Sequence, residues 1–102
     1  DLRIMTGHQS RAPRILIVDD DSALIEFAVA HLGDEGFDCS VARSAAEALE
    51  VLSRHPPDHF ALLLIDVRLG DQNGVALGRQ IRRLSLPVRI LGWSLLAREE
   101  EV

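Results

Sequence analysis

The chain has 102 residues, enough for one domain with one core, and its 47% hydrophobic and 26% charged content excludes a disordered chain. A net charge of -5 argues against direct nucleic-acid binding by this chain. No apolar run is long enough to span a bilayer, and the single Cys39 cannot form an internal disulfide, which fits a reducing cytoplasm.

Asp1 to Pro13 lacks the apolar core of a signal peptide and reads as a flexible polar arm or an appended remnant. One domain is expected over 14–102. It opens with Arg14-Ile15-Leu16-Ile17-Val18, a short apolar run without alternation, followed by Asp19-Asp20-Asp21. That pattern suits a parallel strand buried on both faces. Three acids cannot sit inside such a strand, so they mark the edge where it leaves the sheet. Ser22 to Glu35 reads as a helix with Leu24, Ile25, Ala28, Val29 and Leu32 on one face, Asp21 or Ser22 as cap, and Gly36 as stop. Phe37 to Ala42 alternates as a second strand.

Ser44-Ala45-Ala46-Glu47 has the form of a capping box and opens a helix to about Arg54, which Pro56-Pro57 ends. Phe60 to Ile65 is a third apolar run, closed by Asp66 as the first is closed by Asp19. Val67 to Gly74 reads as a loop. A helix follows from about Val75 to Leu84, with Leu77, Ile81 and Leu84 roughly one turn apart. Val88 to Leu91 is a fourth strand, and Ser94 to Val102 reads as the start of another helix. Such alternation implies an α/β fold with a parallel sheet and right-handed crossovers.

If the first and third strands are neighbours, their ends lie roughly 5 Å apart and Asp19, Asp20 and Asp66 crowd one pocket. Carboxylates that close repel unless a cation sits among them. Oxygen ligands in a small open site suit Mg2+, whose remaining positions could hold phosphoryl oxygens. Asp66 could then attack phosphorus to give an aspartyl-phosphate. Taken singly, the acidic run serves equally well as a helix cap and Asp66 as a turn residue. The pair of acid-tipped strands, two crossovers apart, is far more specific.

These residues carry a resemblance to the receiver domain of bacterial response regulators in two-component signalling. It lies in Ile15 to Asp21, in Leu64-Ile65-Asp66-Val67-Arg68-Leu69-Gly70-Asp71-Gln72-Asn73-Gly74 and in Pro87 to Leu91, and spans about residues 14–97. It implies a flavodoxin-like doubly wound parallel sheet, strand order 2-1-3-4 for the strands present. It implies Asp66 as the phosphoacceptor, loaded from a phosphohistidine on a sensor histidine kinase or phosphotransfer protein. Asp20 would bind Mg2+ directly, Asp19 through water, and Arg68 through its main-chain carbonyl. Gly74 would allow the turn into the third helix.

Three departures from that family stand out. Where the family has Thr or Ser at the end of strand four, this sequence has Gly92, with Ser94 as the candidate substitute. Trp93 follows where the family has a small residue, either covering the pocket or packing on the surface. The family's strand-five Lys has no counterpart, since the sequence ends before a fifth strand and fifth helix and contains no Lys. Gly70 replaces a Pro, a change expected to loosen the loop slightly. An uncovered fourth strand predicts self-association by edge pairing or exchange of the terminal segment.

His55 and His59 are four apart, but Pro56 and Pro57 forbid a chelating helix between them. Arg79, Arg82 and Arg83 form a basic cluster read first as a solvated helix face. Two readings of function result. One is a phosphoacceptor signalling domain switched at Asp66. The other is a receiver-like interaction module that does not switch. A phosphatase using Asp66 lacks a second acid two residues on, where Arg68 stands.

Overall fold

A computed structural model of the chain describes residues 12–70 and 72–93. The order of elements is β1 (Arg14–Val18), α1 (Ser22–Asp34), β2 (Asp38–Ala42), α2 (Ala45–Ser53), β3 (Leu62–Asp66), β4 (Arg68–Leu69), β5 (Gln72–Asn73), α3 (Gly74–Arg83) and β6 (Arg89–Trp93). The main sheet is parallel with order β2-β1-β3-β6, which is the expected 2-1-3-4, since β6 is the fourth strand of the sequence reading.

The apolar runs fold as strands because burial on both faces satisfies them. Ile15, Leu16, Ile17 and Val18 are all buried. Leu16, Val18, Leu63 and Ile65 face one layer with Ala48 of α2 and Leu77 and Ile81 of α3. Ile15 and Ile17 face the other, against Ala28 of α1, with Leu62 and Leu64 beside them. Each of the three helices begins on a side-chain cap. Asp21 accepts from Ala23 and Leu24 N–H, Ser44 from Glu47 N–H at 3.1 Å, and Asn73 from Val75 N–H at 2.8 Å.

Several local expectations change. The 67–74 segment is not irregular: Arg68 pairs with Asn73 and Leu69 with Gln72 in a short antiparallel ladder. Leu69 is buried, which anchors this ladder to the core. Leu84 is 54% exposed, because α3 ends at Arg83 and Leu84 is its C-cap, outside the apolar stripe. The fourth strand runs on to Trp93. Pro13, counted with the arm, is tied to the sheet by the Asp38 N–H donating to its carbonyl at 2.9 Å. The expected helix from Ser94 lies outside the described residues. Among the described residues no helix is long and apolar enough to cross a membrane.

One glycine holds the acidic edge against α3. A Cβ on Gly74 would lie 2.1 Å from the Asp66 carbonyl oxygen and 2.9 Å from Val67 Cα, both backbone. Gly33, in α1, has nothing within 4 Å. Gly74→Ala is therefore expected to destabilise by about 3 kcal/mol or more, since backbone must move. Gly33→Ala should stabilise by about 0.5–1 kcal/mol through helix propensity. Urea unfolding of both variants checks the contrast, and equal effects would contradict it.

Candidate functional site

The site is built where β1 and β3 leave the sheet. Val18 stands opposite Ile65 in the parallel register, so Asp19 and Asp66 emerge side by side. Asp19, Asp20 and Asp66 each bring a carboxylate oxygen within 4.8 Å of the others, a grouping not repeated among the described residues. Asp19 is fully buried, Asp20 is exposed and Asp66 is half-buried.

Two of the three carboxylates, those of Asp19 and Asp66, are held by local backbone. The Asp19 amide donates to the Ala42 carbonyl at 3.0 Å, which extends the β1–β2 ladder and fixes the direction of the acid. Asp19 Oδ1 accepts from the Asp21 N–H at 3.0 Å. Asp66 Oδ1 accepts from the Arg68 N–H at 2.9 Å. This last contact was not foreseen from the sequence, where Arg68 entered only through its carbonyl. An Asx-type turn two residues past a strand-ending Asp is the signal that could have found it. Arg68 itself lies on β4, and Gly74 N–H donates to the Val67 carbonyl at 3.1 Å, closing the segment back on the site.

Gly70 is more than a loosened link. Its φ is +56°, in the left-handed region, where the fixed φ of Pro cannot go. A Cβ there would lie 3.2 Å from Asp20 Oδ2. Beside any loosening of the loop, the glycine lets β4 turn back to β5 and leaves room for the Asp20 carboxylate.

Burial pushes the Asp19 carboxyl up to about 6, against an ordinary 3.8, and the negative charges of Asp66 and Asp20 push the same way. The Asp21 N–H bond opposes this, but less strongly than burial acts. Asp19 Oδ2 is buried and has no hydrogen-bond partner among the described groups. An orphaned buried carboxylate oxygen beside two further carboxylates fits a hard divalent cation, whose charge would offset all three repulsions. Asp19, Asp20 and Asp66 are the side chains that would hold it.

The other sequence candidates sit elsewhere or differently. Gly92 is the register partner of Ile65, on the α3 face, and a Cβ there would lie 3.2 Å from Val67 Cγ1. It borders a groove of about 390 Å³ between α3 and β6, lined by Ile65, Val67, Val75, Gly78 and Ile90 among others. Ser94, the candidate substitute for the missing hydroxyl, lies outside the described residues. His55 and His59 stack face to face with ring centroids 3.8 Å apart, in the turn after α2 rather than on a helix. Arg82 is not simply solvated: its Nη1 donates to the Val88 carbonyl at 2.7 Å, tying α3 to the start of β6.

A family model described as the response regulator receiver domain matches residues 15–102. The chain is 39% identical over 72 residues to the transcriptional regulatory protein AruR of Pseudomonas aeruginosa, covering 69% of this chain and 30% of that protein. It is 33% identical over 87 residues to the sensor histidine kinase RcsC of Escherichia coli, covering 85% of this chain and 9% of that one. The chain thus spans less than a third of either relative. Among solved structures, a sensor protein from Polaromonas sp. JS666 superposes with a TM-score of 0.74 at 40% identity, over 87% of this chain and 70% of that one. The MaeR response regulator bound to beryllium trifluoride gives 0.73 at 28% identity, over 81% and 67%.

The raised Asp19 value has a defined sign. Without metal, the folded protein binds a proton at Asp19 more tightly than the unfolded chain does. The ionised form therefore weakens the fold above about pH 6. That penalty is full above about pH 6 and disappears as pH falls into the ordinary carboxylate range. In EDTA, Asp19→Asn is expected to be more stable than the parent at pH 8, with the gap closing toward pH 4 in urea titrations. A gap that is absent, or that widens on acidification, would contradict this.

Proposed function

This chain belongs to the response regulator receiver domain family, and on that premise we propose that it is a phosphoacceptor in two-component signalling, modified on Asp66. The observation that carries the reading is the meeting of Asp66 with a buried, orphaned Asp19 and an exposed Asp20 at one edge. Among these acids Asp66 has the best position for attack. One oxygen is held by the Arg68 N–H, so the carboxylate is aimed, while the side chain stays half-open to a donor.

In the proposed step an Asp66 carboxylate oxygen attacks phosphorus of a phosphohistidine. The P–O bond forms as the P–N bond breaks, and the imidazole leaves with a proton from solvent. Mg2+, when bound, would neutralise charge on the acids and on the phosphoryl oxygens. Asp20 would meet it directly, Asp19 through water, and the Arg68 carbonyl would complete the protein's ligands. A sensor histidine kinase or phosphotransfer protein is the proposed donor, and the similarity to a protein named as such a kinase supports that assignment. The domain acts as a signalling element rather than as an enzyme with a separate substrate, in the cytoplasm, where Cys39 stays a free thiol.

Mass spectrometry after incubation with acetyl phosphate and Mg2+ tests the reading. One added phosphoryl group is expected, lost in Asp66→Asn and in EDTA. No adduct on the parent, or an equal adduct on Asp66→Asn, would end it.

We also propose self-association through β6. Among the described residues this strand pairs only with β3, and its Leu91 is 54% exposed. Light scattering across a concentration series should show a dimer at tens of micromolar, weakened by Leu91→Lys. A monomer throughout would exclude it.

A further inference from the structure

Two buried polar side-chain atoms have no hydrogen-bond partner among the described residues: Asp19 Oδ2 and Trp93 Nε1. They are opposite in character. A carboxylate oxygen can be completed by a donor or a cation, and an indole N–H by any acceptor oxygen, that of an anion included. Buried unpaired donors are uncommon enough in folded proteins to require a cause.

The two atoms belong to the same edge of the sheet. Asp19 directly follows β1, and Trp93 is the last residue of β6. In the β3–β6 ladder Trp93 stands opposite Asp66. Partners in a parallel register project to the same face. Leu62 and Leu64, which alternate with Asp66 along β3, pack with Ala28 on the α1 side, so Asp66 and Trp93 share that face. Gly92 does not. It stands opposite Ile65, and a side chain there would enter the groove beside Val67 on the α3 side. Residue 92 carries no side-chain donor, and residue 93 carries one on the face that Asp66 shares.

We propose that the Trp93 indole N–H donates a hydrogen bond to a phosphoryl oxygen on Asp66. It would thereby supply a side-chain donor on the Asp66 face of β6, where Gly92 offers none. The inference rests on Asp66 being the phosphoacceptor. It adds a route by which phosphorylation is felt. The Val67 N–H already donates to the Trp93 carbonyl at 2.9 Å, so the indole contact would clamp the end of β6 to β3 from the side chain as well as the backbone. Trp93 is then a sensing residue, and α3 and β6 are the elements placed to respond.

The chain has one Trp, so its indole gives a single resonance. The experiment adds beryllofluoride, a phosphoryl mimic, with Mg2+ to the 15N-labelled chain and follows the indole N–H. A downfield shift of that proton is expected, absent in Asp66→Asn. Trp93→Phe keeps an aromatic ring and removes the donor, and should weaken beryllofluoride binding by about tenfold. Asp66-dependent binding with an unmoved indole proton and unchanged affinity in Trp93→Phe would overturn this proposal and leave the phosphoacceptor reading standing. Failure of the parent to bind, or binding equal in Asp66→Asn, would overturn both.

Discussion

Electrostatic repulsion among three carboxylates, held together by two parallel strands, is the constraint on which this molecule turns. The β1–β3 register leaves Asp19 and Asp66 no choice but to emerge together. The hydrophobic packing of Ile15 to Val18 and of Leu62 to Ile65 enforces that register, since a slip by one residue would turn every buried side chain outward. Core packing therefore supplies the free energy that keeps like charges close. Asp19 carries the largest share of the strain, because it is buried and one of its oxygens has nothing to accept from. Three carboxylates in that condition fit the divalent cation proposed for them.

The segment after Asp66 works by what it leaves out. Gly74 has no side chain because the Asp66 carbonyl fills the space where one would be. Gly70 has none because its backbone turns left-handed beside Asp20. Between them, the β4–β5 ladder and buried Leu69 tie to the core a segment that would otherwise read as a long loop. The Arg68 N–H of this ladder holds Asp66 Oδ1, so backbone contributes to the aim of the carboxylate.

Much of this could be read from residue order because burial and period are local signals. The unbroken apolar runs, the Ser44 cap and the acids at strand ends identify themselves without tertiary information. Other features depend on contacts that periodicity does not encode. Leu84 has helical spacing from Ile81, yet α3 stops first and exposes it. Gly70 reads in the sequence as a loosened turn, and only its φ value shows that Pro could not occupy it in this conformation. Arg82 reads as one of a solvated trio, and only the fold brings the Val88 carbonyl to it. Trp93 was open between covering the pocket and lying on the surface. Register with Asp66 and a buried N–H, both non-local, are the observations behind its proposed contact with the site.

Whether three acids really act as one cation-binding unit can be read most directly with a paramagnetic substitute for Mg2+. Trace Mn2+ added to the 15N-labelled chain should broaden the amides of Asp19 to Asp21 and of Asp66 to Arg68 first, and excess Mg2+ should restore them. Broadening that is uniform, centred elsewhere, or unaffected by Mg2+ would mean that these carboxylates are merely neighbours.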